Sequence, residues 1–351
     1  MAMDLQNLAW IQLTTEEALE PELPICDCHH HLWDYPDSLP EDRLRHKWVR
    51  HYMLTDMLND IGKGHNIRET VVVESRTMYR NYGPKEYRPV GQTEFAQGIA
   101  AQAATGLYGP TLVAAGIVGY VDLALGDAVA PILEAHLVAG KDRFRGIRNV
   151  LTWHAGHEIE SRIPGPDFFL SPLFLKGFSC LPKYQLSFDT FIFHPQLADM
   201  AKLAKAFPDT PIILEHFGGV LGVGPYVNKR EEVFQSWKQD ISALKDYPNV
   251  MMKMNGLGQL LNGFGWNKRD VPPGSEELAK AIAPYFNHCV ETLGIGRCML
   301  ESNYPVDRIS FSYTVLWNAL KRLTKDYSKG EKAALYRDNA VKVYRLPPVA
   351  G

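Results

Sequence analysis

The stretches LSFDTFIFHPQL (186–197) and PIILEHFGG (211–219) decide the fold of this 351-residue chain. Each begins as a short run of β-branched, aromatic or aliphatic residues and ends in a histidine followed by turn residues, the mark of a strand that stops at a loop. Outward from them the same unit recurs: a short apolar run, a polar or glycine-rich loop, then a stretch with helical spacing. That alternation implies parallel strands, because a chain returning to the same edge must cross over through a helix. The reading gives strands over 25–29, 70–74, 112–121, 145–151, 186–193, 211–215, 249–254 and 297–301. Eight strands close a (β/α)8 TIM barrel, whose usual ~250 residues plus insertions suit this length. An open doubly wound sheet competes, but no GxGxxG follows the early strands and no GxxxxGK[ST] occurs. Helical spacing is clearest over 231–246, 276–292, 312–325 and 329–344, as in an outer layer packed on a barrel. One barrel domain over 25–351 is predicted, with an N-terminal arm over 1–24 and lids from the loops after strands two, four, six and seven.

Composition narrows the partners. Hydrophobic residues at 46% and charged residues at 22% are the ordinary globular balance and supply a sizeable core. Lys plus Arg is 37 against 40 acidic residues, so no basic field exists to hold nucleic acid. Five cysteines, odd in number and sparse, argue against a disulfide framework and for a reducing cytoplasm. The first 24 residues lack a basic start followed by an apolar stretch, so no signal or transit peptide is expected. Residues 95–121 contain no charge, yet Gln97, Gln102, five glycines and Pro110 interrupt them, which favours a soluble helix and a buried strand over a membrane span. The apolar arm containing Trp10 suggests packing against another subunit, and a homo-oligomer is expected.

Chemistry concentrates at strand ends. The first strand runs into Asp27-Cys28-His29-His30-His31-Leu32-Trp33-Asp34. Alternate residues of extended backbone share a face, so His29 and His31 project together while His30 opposes them. Two imidazoles on one face can grip a divalent metal, although a lone HxH is more often a solvated turn. Repetition favours the metal: His194 and His216 follow strands five and six and converge on the mouth where barrels build active sites. Glu74 closes the apolar second strand, a costly place for a carboxylate unless it binds a cation or pairs with Arg76 or Arg80. Around this set, Arg148 and Lys253 are candidates to meet a substrate carboxylate, with ordinary ion pairs as their alternatives, Lys253 to Glu215 or Glu301. His154 is a candidate polar group of the pocket, Tyr79 a phenolate ligand or proton donor, and Asp307 a support for a metal-bound histidine.

HHHLWD, FRGIR (144–148), LSFD with HPQL, EHFGG and RCMLESNYPVD (297–307) together resemble the metal-dependent TIM barrels of the second amidohydrolase group, over about 25–346. The resemblance implies that His29, His31, His194, His216 and the position of Asn303 surround the metal. Hydrolytic members read SDWP at the last position, and their aspartate ligates metal and takes the proton from water. Here the motif is SNYP (302–305), and an amide has no usable proton affinity, so Asn303 can offer only a neutral oxygen. With Glu74 added, four imidazoles, a carboxylate and an amide oxygen suit two octahedral redox metals better than one zinc. VVVES…MYR with ESNYPVD is similar to the branch that contains dinuclear iron or manganese/iron oxygenases. The expectation is therefore an O2-activating oxygenase that hydroxylates a small carboxylate-bearing molecule, with Glu74, Asn303, Asp307 and Tyr79 at the reacting centre. Two alternatives stand beside it. One is a zinc hydrolase of a lactone or amide in which Asp307 or Glu74 replaces the missing base; the other is a silent metal-binding subunit paired with a homologous barrel.

Overall fold

The computed structural model describes residues 3–347. Among these, eight parallel strands form one sheet in chain order: β1 (Ile25–His30), β2 (Ile67–Val73), β3 (Leu112–Gly119), β4 (Phe144–Val150), β5 (Ser187–Phe191), β6 (Ile212–Leu214), β7 (Val250–Met254) and β8 (Cys298–Leu300). The sheet closes on itself where the chain leaves β8. Asn303 N donates to His29 O at 2.9 Å and His31 N to Tyr304 O at 2.7 Å. The helices that follow the strands in turn are α1 (Leu54–Ile61), α2 (Val90–Ala103), α3 (Ala130–Gly140), α4 (Pro172–Phe178), α5 (Leu197–Ala206), α6 (Arg230–Ala243), α7 (Ser275–Leu293) and α8 (Tyr313–Leu323).

The (β/α)8 barrel read from the strand pattern is the barrel observed, with differences at element ends. β2 starts at Ile67 rather than 70 because Arg68 and Glu69 interrupt the apolar run; Glu69 is buried against the Arg337 guanidinium, Nε to Oε2 at 3.0 Å. The single helix expected over 329–344 is instead Lys329–Ala333, a π turn Ala334–Asp338 and Asn339–Val343. Sequence reading also missed a lid. After β1, Trp33–Asp34 pairs antiparallel with His51–Tyr52, and the loop between them carries Arg45, His46 and Trp48 to the mouth.

Strand alternation sorts the side chains. Ile147, Phe188, Leu214, Met252 and Leu300 point out to the helices and join the main apolar core. The inward set at the barrel's lower end, Cys26, Cys28, Val71, Val73, Ile213 and Met299, is plugged from below by Ala340, Tyr344 and Leu346 of the C-terminal segment. One step higher, the inward residues are charged, and these make the site.

The segment before β1 lies across the outer helices. Trp10 Nε1 donates to Arg269 O at 2.8 Å, Glu16 accepts from Ser275 N at 2.7 Å, and Lys321 Nζ donates to Leu19 O at 2.7 Å. Trp10 thus has a partner within its own chain.

Candidate metal centre and active site

β1 carries an irregularity between Asp27 and His30 that reverses its alternation. Cys26 and Cys28 face the interior, and past the bulge so do His29 and His31, a re-aiming that bulges commonly perform beside active sites. The two Nε2 atoms face each other at 3.2 Å. His31 Nδ1 donates to Val73 O at 2.8 Å, which leaves a lone pair on its Nε2. His30 opposes them, as alternation predicts, with Nε2 on Thr70 Oγ1 at 2.8 Å.

His216 reaches the same point by a different route. Glu215 is the inward residue past β6, so alternation would turn His216 away. Instead His216, Phe217, Gly218 and Gly219 all have positive φ, from 54 to 72°, and this left-handed turn brings the imidazole back to the axis. Only glycine fits at its end, because a Cβ on Gly219 would lie 1.7 Å from Ile192 O. One ligand atom each from His29, Glu215 and His216 falls within a 4.8 Å cluster, all three buried.

Carboxylates and cations are packed beneath these histidines. Arg148 grips Glu215 through Nε (2.9 Å) and Nη2 (2.7 Å). Lys253 Nζ pairs with Asp189 Oδ2 at 2.8 Å and lies 3.4 Å from His29 Nδ1. Glu301 meets His29 Nδ1 at 3.0 Å and His216 Nδ1 at 2.8 Å. Burial holds His29 and His31 well below the ordinary histidine range, helped by Lys253 at the first and Arg148 at the second, so both are neutral.

This donor set fits a divalent cation. Ligands at about 2.1 Å and angles of 90–110° sit about 3.0–3.4 Å apart, the spacing of the two facing Nε2 atoms. The buried carboxylates of Glu74, Asp189, Glu215 and Glu301 outnumber the buried cations Arg148 and Lys253, an excess of negative charge that a divalent ion would neutralise. His29, His31 and His216 would hold it, with Glu215 at the edge.

The cavity above is about 350 Å3, within the range of small-ligand sites. Phe191, Phe193 and Leu261 give it an apolar wall, and Arg45, Arg148 and Arg162 give it positive charge. Arg162 is paired with Glu160 at 2.7 Å, and Arg148 with Glu215. Arg45 donates to Ser75 O at 2.6 Å, and burial pulls its pKa down to about 10. His46, between the rings of Trp33 and Trp48, lines the cavity as a neutral imidazole drawn down to about 3 by burial. Asn303 lines it too, at φ 54°. Its Nδ2 donates to Asp307 Oδ1 at 2.8 Å, so its oxygen is the atom left to offer. Asp307 also accepts from Gly258 N at 3.0 Å, and burial pushes its pKa up to about 7.

Several expected site residues do not join this cluster. His194 is expected as a ligand from the sequence, but Phe191 and Phe193 are the inward residues of its segment and His194 is one position out of phase. Its Nδ1 accepts from Leu221 N at 3.4 Å and its ring meets Tyr226. Glu74 is out of phase in the same way, since Val71 and Val73 face inward. Its Oε1 accepts from Tyr79 OH at 2.6 Å and from Arg76 N, and its Oε2 is 4.0 Å from Arg148 Nη1. The ion pairs considered for it are not formed; Arg80 pairs with Glu94. Tyr79 is therefore a partner of Glu74 rather than a ligand. Lys253 is sealed under His29 with Asp189, not with Glu215 or Glu301, and cannot meet substrate. His154 sits on the rim, Nε2 to Tyr226 OH at 3.2 Å. Asp307 supports Asn303, not a histidine. Sequence reading considers Glu215 and Glu301 only as lysine partners, and it misses Arg45 and His46.

The fold and this constellation define the class of metal-dependent barrel enzymes, and the comparisons place the chain within it. A model of the amidohydrolase family (Amidohydro_2) matches residues 26–346, and the chain belongs to that family. The uncharacterized protein y4mH of Sinorhizobium fredii is 30% identical over 335 residues, covering 93% of this chain and 99% of that one. An L-fucono-1,5-lactonase of Burkholderia ambifaria is 25% identical over 288 residues, 78% of this chain and 89% of its own. Among solved structures, a Burkholderia multivorans amidohydrolase with bound zinc superposes with a TM-score of 0.69 at 20% identity, covering 92% and 99% of the two chains.

Proposed function

We propose that this amidohydrolase-family enzyme is a hydrolase that opens a small lactone bearing a carboxylate, with one divalent metal at His29, His31 and His216. The observation that carries the reading is the pair of Nε2 atoms facing each other at 3.2 Å beneath a cavity whose wall holds Arg45. A divalent ion there would supply Lewis-acid polarisation of the lactone carbonyl and would acidify water, which lessens the need for a side-chain base. Asn303 Oδ1 orients that water by accepting a hydrogen bond. Arg45 meets the carboxylate, and the Phe191–Phe193 wall excludes bulk solvent from the ring. The lactonase relative supports the reaction class. A two-metal oxygenase would need Glu74 and His194 as ligands, and His194 and one Glu74 oxygen have other partners. We place the enzyme in the cytoplasm, where its five free thiols persist.

Metal analysis after purification without chelator, paired with lactone assays, tests this. One metal equivalent is expected, with hydrolysis of a pyrone-type lactone carboxylate that chelator abolishes and metal restores. Two iron or manganese equivalents with reductant-dependent O2 consumption would overturn it.

A further inference from the structure

We propose that His46 is a specificity-determining residue that donates from Nε2 to the substrate carboxylate held by Arg45. The carboxylate there rests on the hydrolase reading; the free donor does not. Two rings fix the imidazole, which stacks on Trp33 at 5.3 Å and meets Trp48 edge-on at 5.1 Å. Both indoles are themselves tied to backbone, Trp33 Nε1 to Val49 O at 3.1 Å and Trp48 Nε1 to Val306 O at 3.2 Å. Trp33 in turn stacks on His31 at 6.1 Å, so His46 stands two ring contacts from the metal centre.

Neither ring nitrogen of His46 has a hydrogen-bond partner among the described residues, and Nδ1 is sealed from solvent. A neutral imidazole carries one proton, and a buried N–H without an acceptor is rarer and costlier than a buried lone pair. The proton therefore sits on Nε2. With Trp33 and Trp48 against the ring and Nδ1 sealed, the cavity that His46 lines is where that N–H finds its acceptor. The surrounding charge selects what the acceptor is. Arg148 is paired with Glu215 and Arg162 with Glu160, whereas Arg45 bonds a backbone carbonyl, Ser75 O at 2.6 Å. One unpaired cation beside one neutral donor matches a monoanion with two oxygens, of which Arg45 takes one and His46 the other. A second cation in place of His46 would suit a dianion such as phosphate instead.

2-Furoate, a flat ring carboxylate with no bond to hydrolyse, and its neutral counterpart 2-furamide are the probes, titrated into as-purified protein labelled with 15N-histidine. The His46 signal, assigned by its absence from His46→Phe, is expected as Nε2–H and should shift with 2-furoate. His46→Phe keeps a ring between the tryptophans and removes the donor. It should weaken 2-furoate about 10- to 100-fold, the worth of a hydrogen bond to a charged group, and leave 2-furamide near wild type. Equal weakening of both probes would mean that the ring only packs and would overturn the proposal. His46→Gln, which keeps an N–H, should recover part of the loss. Inorganic phosphate bound more tightly than 2-furoate overturns the choice of a carboxylate. Nδ1–H in the wild type, or a His46 signal that 2-furoate leaves unmoved, overturns the proposal even if the phenylalanine variant fails to fold. Lactone turnover alongside an unmoved signal leaves the hydrolase reading standing without it; a signal that moves in a protein that opens no lactone does the reverse.

Discussion

The two sides of the barrel mouth use the same residue types to opposite effect. At β1, β6 and β8, histidines and acids turn to the axis and make the site. At β2 and β5, Glu74 and His194 turn away: Glu74 Oε1 accepts from Tyr79 while its Oε2 is buried without a hydrogen bond among the described residues, and His194 accepts from Leu221. The difference is a phase of one residue. β8 places Met299 and then Glu301 inward, and β4 places Arg148 inward, by plain alternation. β5 places Phe191 and Phe193 inward, so the histidine that follows cannot be. Where a ligand falls in the wrong phase and is still delivered, the backbone has been bent to do it: a bulge before His29, a left-handed turn at His216.

Exchanging ligands between the two sides gives the largest expected effect. His216→Ala should lower zinc affinity and lactone turnover by more than about 100-fold, since it removes a ligand rather than its support. His194→Ala should leave metal content near wild type; loss of zinc from that variant would restore His194 to the site.

Next comes the charge layer. Arg148→Met strands Glu215 without its partner, and breaking a buried pair by one member costs about 3–5 kcal/mol. Urea unfolding of the apo protein should show it. A loss below about 1 kcal/mol would mean that Glu215 is neutral or solvated and that the interior is not the charged layer described.

Asn303 separates hydrolysis from oxygen chemistry less simply than its sequence suggests. The carboxylate introduced by Asn303→Asp would face Asp307, whose Oδ1 is 2.8 Å from the present amide nitrogen, and the two acids would share one proton. Asn303→Asp alone should therefore gain little. The exchange Asn303→Asp with Asp307→Asn keeps one charge, frees it toward the cavity, and should raise lactone turnover, with ~10²-fold as the lower range of general-base assistance. No gain from the exchange, with O2 consumption in either form, would favour the oxygenase.

The smallest effect is in acid. Burial draws His194 down to about 4, so the native state refuses a proton that the unfolded chain accepts below about 6.5. Stability linked to this residue is intact above 6.5 and is lost as pH falls from there toward 4, at up to about 1.4 kcal/mol per unit. His194→Gln should flatten that limb in thermal melts; an unchanged slope would mean that His194 is protonated in the fold.

Strand positions were legible because apolar runs of strand length survive any tertiary context, and the HxH face because alternation holds locally through residues 29–31. The site was half legible. An acid closing an apolar strand flagged Glu74, yet Glu215 and Glu301 show the same signal and are the ones in phase. Counting alternation from the inward residues below would have preferred them. His216 could not be resolved that way, since its return depends on four consecutive left-handed residues, two of them not glycine. Arg45 and His46 come from a loop without periodicity, and their approach exists only once the ribbon after β1 has formed.

The plug beneath the barrel has a consequence for the order of assembly. Tyr344 donates to Asp189, Asp189 holds Lys253, and Lys253 lies against His29. Synthesis delivers residues from the N-terminus at about 5–20 per second, so β1 emerges well before the residues that complete the floor under it. The floor under the histidines is therefore complete only once the segment that carries Tyr344 has docked, which ties the first strand's end to residues far along the sequence.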